Sequence, residues 1–188
     1  RRNRTARLAL FLSRLRLVAY AAGLTIRGLS GCGSIEVMKE IGIGLLGFGT
    51  VGAGVVRGLQ ENGDILAHRL GARPVIRRIA DLDLETDRGV RVDASLLTTD
   101  AESVVRDPDI DVVVELIGGT GIARKLVNMS LELGKPVVTA NKALLAEYGA
   151  EIFGLAEQKG TDIYFGASVG GGIPIIRALR EGLVANRV

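Results

Sequence analysis

The sequence has one cysteine, one histidine and no tryptophan among its 188 residues, and only 4% of the residues are aromatic. The single cysteine, Cys32, cannot form an internal disulfide, and one histidine, His68, provides no Cys/His cluster for zinc. Long apolar runs are also missing, because Arg14, Arg16 and Arg27 interrupt the only stretch that approaches the length of a membrane-spanning helix. These absences exclude a disulfide-rich scaffold and a Cys/His zinc domain and argue against a membrane span. We therefore expect a cytoplasmic protein.

Acidic residues are almost absent from the first 37 residues. This segment contains seven arginines and one glutamate, for a net charge of +6, whereas the remaining 17 basic and 20 acidic residues give −3. The net charge of +3 therefore describes the beginning of the chain and not the part that is expected to fold. We expect no nucleic-acid or membrane partner for residues 38–188. An alternative is that the basic segment is an arm that binds one of them.

Residues 1–37 precede the first strand pattern, which begins after Met38. We expect this leader to be upstream or extraneous sequence that takes no part in the fold. Two alternatives stay open. One is a lipoprotein signal in which Cys32 is the lipid anchor, and the other is an arginine-rich transit peptide.

Aliphatic residues and glycines are abundant, with 47% hydrophobic residues and 26 glycines, as in a folded α/β domain. Short aliphatic runs alternate with longer amphipathic segments, which is typical of βαβ units and a doubly wound parallel sheet. Predicted strands cover 41–46, 75–80, 96–98, 112–117, 137–139 and 162–165. Predicted helices cover 51–69, 101–106, 122–133 and 144–159, with Asp100 as an N-cap and Gly134 as a C-terminal stop.

A glycine-rich segment with the spacing G-x-G-x-x-G directly follows the first predicted strand and opens a helix. Its residues are Gly47, Phe48, Gly49, Thr50, Val51 and Gly52. The first glycine permits a tight turn, the second lets the backbone approach a pyrophosphate, and the third allows close packing of helix and strand. The context predicts dinucleotide binding, and a purely structural turn is the alternative.

Asp81 ends the second predicted strand. A carboxylate at this place hydrogen-bonds a ribose 2′-hydroxyl and repels a 2′-phosphate, which favours NAD. A solvated turn is the alternative interpretation of Asp81. Arg88 is near enough in sequence to accept a 2′-phosphate instead, so the choice between NAD and NADP stays open.

Polar residues and glycines follow the fourth and fifth strands. They are Gly118, Gly119, Thr120, Asn141 and Lys142. Ligands of open α/β sheets bind outside the carboxyl ends of the strands, so we expect these residues near the nicotinamide half of a dinucleotide. Lys142 is a candidate for proton transfer at the mouth of the cleft. A structural glycine turn and a solvated lysine are the alternatives.

A second glycine-rich segment, residues 166–175, follows the sixth predicted strand. Three successive glycines and an Ile-Pro pair predict a tight crossing, with Pro174 at the start of a new helix. Its carbonyl groups either face a ligand or ion or simply permit close packing.

Taken in order, the motifs resemble homoserine dehydrogenases. The similar segments are GLLGFGTVGAGVV, ADLD with DRGV, DVVVELIGG, GKPVVTANKALLA and ASVGGGIPIIRAL, over nearly all of 38–188. The resemblance implies an NAD(P)-dependent oxidoreductase that interconverts L-homoserine and L-aspartate 4-semialdehyde in threonine, isoleucine and methionine biosynthesis. It also implies a Rossmann-type NAD(P)-binding domain at 38–168 and the start of a truncated substrate and dimerisation domain at 169–188.

The same resemblance assigns roles to single residues. It places Phe48, Gly49, Thr50 and Val51 along the pyrophosphate and Thr120 at the nicotinamide ribose. Lys142 matches the family's cleft lysine, which touches cofactor and substrate and is our catalytic candidate. Three positions, Val169, Gly171 and Ile173, match backbone ligands of a sodium ion. Gly166 stands where the family often has a glutamate, so we expect at most weak sodium binding.

Members of the family continue into a substrate and dimerisation domain with a second lysine. We expect this chain to be a C-terminally truncated form that binds nucleotide weakly at best and has negligible turnover. We expect the full-length form to be a homodimer that acts on a small molecule. The related aspartate-semialdehyde dehydrogenases need a cysteine nucleophile, and residues 38–188 contain none. A Rossmann module that senses NAD(H) without chemistry stays an alternative.

Overall fold

The structure, a computed structural model, describes residues 38–170, 173 and 175–179, and the predicted leader lies outside the described residues. The strands of this part are β1 (Glu40–Leu46), β2 (Arg73–Ala80), β3 (Leu97–Thr98), β4 (Val112–Glu115), β5 (Val137–Thr139) and β6 (Ile163–Tyr164). The helices are α1 (Thr50–Leu70), α2 (Ala101–Arg106), α3 (Gly121–Glu132), α4 (Lys142–Lys159) and α5 (Ile175–Arg177), with a 3₁₀ turn at Ala94–Leu96. None of these helices is both long and apolar enough to cross a membrane.

The strands form one parallel sheet in the order β3-β2-β1-β4-β5-β6. The chain builds outward from β1 through β2 to β3, and then returns to the other side of β1 and builds from β4 to β6. This is the strand order of a doubly wound Rossmann fold, so the predicted fold class is confirmed. The order of the strands reverses between β1 and β4, which is where ligands of such folds bind.

The two central strands are buried on both faces, as a parallel sheet covered by helices requires. Ile43 and Leu45 pack with residues of α1 on one face, and Leu46 packs with residues of α2, α3 and α4 on the other. Gly44 allows the second layer to approach closely, because a Cβ at this position would lie 2.8 Å from the side chain of Val104 in α2. The glycine in β1 therefore brings a helix directly onto the strand.

Strand β4 ends two residues earlier than predicted, at Glu115 and not at Ile117. The reason is local, because the Glu115 carboxylate accepts hydrogen bonds from the backbone N–H groups of Ile117 and Gly118. These bonds turn the chain away from the sheet immediately after the strand. The aliphatic character of Leu116 and Ile117 suggested a longer strand, but it does not decide the backbone path.

The predicted ends of two helices are confirmed. The side chain of Asp100 accepts a hydrogen bond from the N–H of Ser103 at 3.0 Å and caps α2. Gly134 follows α3 with φ +72°, the left-handed conformation that commonly ends a helix.

Candidate functional site

The loops that follow β1, β4 and β5 open onto the same edge of the sheet. Leu46, the last residue of β1, lies opposite Glu115 at the end of β4, and Glu115 lies opposite Thr139 at the end of β5. The N–H of Gly47 donates to the carbonyl of Ala80 at 2.8 Å, so the end of β2 joins the same edge. The sequence-predicted site segments after these four strands therefore lie at one edge.

The glycines of the β1–α1 turn fall into two kinds. Gly47 has φ +97°, and a Cβ there would lie 2.8 Å from the carbonyl oxygen of Leu116. A Cβ at Gly52 would lie 2.2 Å from the carbonyl oxygen of Gly47, so the fold itself requires both glycines. At Gly49, by contrast, a Cβ would meet no atom within 4 Å. A purely structural turn does not need Gly49, whereas close approach of a ligand does.

The N-terminus of α1 offers hydrogen-bond donors beside that open space. The helix has 21 residues, its N-cap is Gly49, and no side chain caps it. The first N–H groups of a helix have no intrahelical partner and carry a partial positive charge. No acidic residue lies in the first turn, and both Thr50 and Val51 are exposed. This arrangement suits a phosphate group.

The Asp81 carboxylate binds the glycine turn. Its Oδ2 accepts a hydrogen bond from the backbone N–H of Phe48, and its Oδ1 accepts one from the N–H of Asp83 at 2.9 Å. Asp81 therefore fixes the β1–α1 turn against β2, a role that the sequence did not predict. Because the Phe48 amide is committed to Asp81 and its side chain is buried in the core, the backbone that remains for a ligand begins at Gly49.

The loop after β2, residues 81–88, contains four acids and a single base, Arg88. The guanidinium of Arg88 donates to Oδ2 of Asp83 at 2.7 Å. Hydrogen bonds from Thr86, together with the charge of Arg88, lower the pKa of Asp83. The charge of Arg88 is therefore compensated within its own loop, which carries net negative charge.

A buried carboxylate joins the loops after β4 and β5. Glu115 has 0% exposure, and its Oε1 accepts hydrogen bonds from the N–H groups of Ile117 at 3.0 Å and Gly118 at 3.3 Å. Its Oε2 accepts a hydrogen bond from the hydroxyl of Thr139 at 2.5 Å, and Nδ2 of Asn141 lies 3.5 Å from Oε1. All four neighbours are hydrogen-bond donors, so the carboxylate accepts hydrogen bonds from both loops.

Asn141 uses both ends of its side-chain amide within the fold. Its Oδ1 accepts a hydrogen bond from the N–H of Leu144 at 3.0 Å and caps α4, while its Nδ2 donates to the carbonyl of Gly119 at 2.6 Å. Only 7% of the residue is exposed. The structure therefore places Asn141 between the two loops as a connection, whereas the sequence suggested a contact with the cofactor.

Lys142 is exposed and occupies the first position of α4. A cation at a helix N-terminus is unfavourable by about 0.3–1 kcal/mol, and no acidic residue lies in the first turn to offset it. No ion pair of Lys142 is found among the described residues. The fold gains nothing evident from a lysine here, which favours a ligand-binding role over that of an ordinary solvated side chain.

The β4–α3 loop contains the two glycines and the threonine hydroxyl that the sequence predicts near the nicotinamide half of a dinucleotide. Gly118 and Gly119 have φ values of +80° and +67°, and a Cβ at either one would meet no atom within 4 Å. Thr120 is the N-cap of α3, but its side chain makes no capping hydrogen bond. The loop after β6 joins this region through Ser168, whose hydroxyl donates to the carbonyl of Thr139 at 2.9 Å.

The predicted sodium ligands are only partly described. Val169 and Ile173 are exposed, and Gly171 lies outside the described residues. The described residues contain no group of three or more His, Cys, Asp or Glu side chains that suits a metal ion. Residues 163–179 have no acid, so a cation there would meet no carboxylate from this segment. The sodium site stays a prediction.

Three polar residues of the site were missed as functional candidates. They are Glu115, Thr139 and Ser168. The sequence did contain one signal, because Glu115 ends a run of three valines in a strand that must be buried on both faces. A carboxylate at the end of such a strand has to find several donors, and these are found in the neighbouring loops.

Strand order, the open glycine turn and the polar loops at the switch point place this chain in the class of Rossmann dinucleotide-binding domains. A family model described as "Homoserine dehydrogenase, NAD binding domain" matches residues 47–166. The chain belongs to the homoserine dehydrogenase family, and the matched part is the family's NAD-binding domain.

Individual relatives agree with this assignment. The chain is 48% identical over 151 residues to a homoserine dehydrogenase of Bacillus subtilis and 52% identical over 151 residues to one of Neisseria gonorrhoeae. Each alignment covers 80% of this chain but only 35% and 34% of the relative, so the chain spans about a third of their length.

Solved structures give the same result. A crystal structure of a homoserine dehydrogenase from Thiobacillus denitrificans matches with a TM-score of 0.74 and 50% identity, over 80% of this chain and 35% of that one. A hyperthermophilic archaeal homoserine dehydrogenase in complex with NADPH matches with a TM-score of 0.62 and 26% identity, over 78% of this chain and 50% of that one.

Proposed function

We propose that this chain is the nucleotide-binding part of an NAD(P)-dependent homoserine dehydrogenase. The complete enzyme interconverts L-homoserine and L-aspartate 4-semialdehyde, by hydride transfer to or from the nicotinamide ring that the cofactor supplies. The observation that carries the proposal is the open space beside Gly49. This space lies at the N-terminus of α1, which no side chain caps. Family membership supports the assignment of the substrate pair.

The residues divide the site into two halves. The first half, the glycine turn held by Asp81, binds the diphosphate through the backbone from Gly49 to Val51. The second half, the Gly118–Thr120 loop and Lys142, receives the nicotinamide and its ribose. This division follows the two mononucleotide-binding halves of a doubly wound sheet.

Lys142 is the catalytic candidate of this chain. Its ammonium group is exposed at the start of α4, on the edge of the sheet where the cofactor binds. We propose that it contacts both cofactor and substrate and orients the substrate's reacting oxygen. The unfavourable position of its charge at the helix N-terminus supports a ligand-directed role.

We propose that NAD(H) is preferred over NADP(H). Asp81 lies beside the glycine turn, and the loop of residues 81–88 is net negative with Arg88 already paired to Asp83. A 2′-phosphate there would meet uncompensated negative charge, whereas a 2′-hydroxyl can donate to a remaining acceptor site of Asp81. The related archaeal enzyme was solved with NADPH, so cofactor choice is a property to be tested on this chain.

The test of this preference is a titration of the 188-residue chain with NADH and NADPH by nucleotide fluorescence. We expect tighter binding of NADH, and we expect the variant Asp81→Asn to bind NADPH about tenfold more tightly than the unaltered chain. Asn keeps an acceptor for the Phe48 amide, removes the charge and gives up the acceptor for the N–H of Asp83. Asp87→Asn is the matched control in the same loop, since Asp87 binds the N–H of Gly89. Tighter NADPH binding by the unaltered chain contradicts the proposal.

Turnover is proposed to require regions of the relatives that the matched third does not include. We expect no homoserine oxidation by the 188-residue chain above that of its Lys142→Ala variant, and a clear excess would contradict this expectation. A homodimeric full-length form is part of the same proposal. For sodium we propose at most weak binding through backbone carbonyls, since Gly166 and its neighbours provide no carboxylate.

A further inference from the structure

We propose that Glu115 is a positioning residue for the nicotinamide half of the site. It holds the β4–α3 loop and the N-terminus of α4 in one arrangement, and it does not itself touch the cofactor. The inference rests on the proposed function, because it assigns a task within the nucleotide site.

The hydrogen bonds of Glu115 run to two loops and to no other part of the site. Ile117 and Gly118 belong to the loop after β4, while Thr139 and Asn141 belong to the end of β5 and the start of α4. One carboxylate therefore links the two segments that carry the predicted nicotinamide contacts.

Asn141 extends this hydrogen-bonded link to the residues that are predicted to contact the cofactor. Its Nδ2 donates to the carbonyl of Gly119, and the next residue along the chain is Lys142. Because Thr139 also accepts a hydrogen bond from the N–H of Asn141 at 2.9 Å, the whole start of α4 is fixed relative to the Gly118–Gly119 turn. Loss of Glu115 would leave the hydrogen bond from Asn141 to Gly119 to hold the turn and the start of α4 together without the support of the carboxylate.

The burial of Glu115 distinguishes a positioning role from direct contact with a ligand. Glu115 has 0% exposure, so a bound ligand does not reach it in this arrangement. Burying a carboxylate is unfavourable, and an apolar residue would fill the end of a valine strand more simply. An apolar residue would, however, leave the donors of both loops without their acceptor. The carboxylate is therefore best explained by the arrangement of the loops.

The adenosine half of the site is held by different contacts. The glycine turn is fixed by Asp81 and by the bond from Gly47 N to Ala80 O. None of the hydrogen bonds of Glu115 reaches this turn. Disturbing Glu115 should therefore weaken one half of a dinucleotide's contacts and leave the other half unchanged.

The experiment compares NADH with ADP, which lacks both the nicotinamide and its ribose, by calorimetric titration of the 188-residue chain. In Glu115→Gln we expect the Kd for NADH to rise about tenfold and the Kd for ADP to stay within about twofold. A merely structural role would raise both constants together. Val105→Ala is the control for general destabilisation, since Val105 is fully buried in α2, and it should not separate the two ligands.

A second variant keeps the test decisive if Glu115→Gln does not fold. Asn141→Ser retains an oxygen that can cap α4, but it loses the donor to Gly119, and we expect the same selective loss of NADH affinity. Equal weakening of both ligands, or unchanged NADH binding in a folded variant, overturns the inference alone. Failure of the unaltered chain to bind either nucleotide overturns the proposed function, and the inference with it.

Discussion

Replacing Gly49 by alanine places one methyl group in the open space before α1. No protein atom lies within 4 Å of that Cβ, and the backbone there (φ −68°, ψ −162°) is extended, so alanine is accommodated without strain. The fold should lose only about 0.5–1 kcal/mol, through a poorer N-cap. A phosphate bound to these amides at about 2.9 Å would be displaced beyond hydrogen-bond distance. Losing one hydrogen bond to a charged group, at about 1.5–3 kcal/mol, raises the Kd roughly 10- to 150-fold.

The assay is a titration of the Gly49→Ala variant of the 188-residue chain with NADH and with ADP-ribose. The binding of both ligands should weaken, because both contain the diphosphate. Gly54→Ala is the matched control, since Gly54 is an exposed glycine of α1 where a Cβ, as at Gly49, would meet no atom within 4 Å. That variant should bind both ligands with the affinity of the unaltered chain, and its free energy of unfolding should be about 1 kcal/mol higher. Unchanged affinity of Gly49→Ala for both ligands would refute the placement of the diphosphate.

Three further predictions concern stability and charge. Gly52→Ala should lower the free energy of unfolding in urea by about 3 kcal/mol, because its Cβ would lie 2.2 Å from a carbonyl oxygen of Gly47, and an unchanged midpoint would contradict this. Lys142→Gln should raise the free energy of unfolding by about 0.3–1 kcal/mol while weakening NADH binding, whereas the charge-retaining Lys142→Arg should not be stabilised. Hydrogen bonds from Arg124 lower the pKa of Glu151 in the folded state, so their stabilisation is present above the ordinary pKa of a glutamate and is lost as the pH falls through the lowered value. The melting temperature of Glu151→Gln should therefore lie below that of the unaltered chain at neutral pH and converge with it in acid, and a pH-independent difference would contradict the assignment.

The sheet could be predicted because its signals are local. Each strand is a short aliphatic run, and a helix fills each interval between runs except that between β2 and β3, where residues 81–96 form a loop and a 3₁₀ turn, so the order of elements follows from the sequence pattern. The glycine turn was predictable for the same reason, since its spacing and its place after β1 are both local properties. Even the distinction between Gly49 and its neighbours was expected, and the space around each Cβ agrees with it.

The partners of the buried and half-buried carboxylates could not be predicted. Asp81 binds an amide 33 positions earlier, and Glu115 binds a hydroxyl 24 positions later. These contacts depend on strand register, which brings Leu46, Glu115 and Thr139 side by side. A pattern along the chain shows that an acid stands at a strand end, but it does not show whether that acid faces a ligand or a neighbouring loop. For this reason Asp81 was assigned only a ribose contact and Glu115 no role.

The central claim is that two separate loops form one dinucleotide site, and an NMR titration of the 188-residue chain tests it most directly. With backbone amides labelled with ¹⁵N, NADH should shift the signals of Gly49–Val51 and of Gly118–Thr120 together, with a single saturation curve. ADP, which lacks the nicotinamide and its ribose, should shift the first group alone. Shifts confined to other parts of the chain, or saturation of the two groups at different NADH concentrations, would contradict the account.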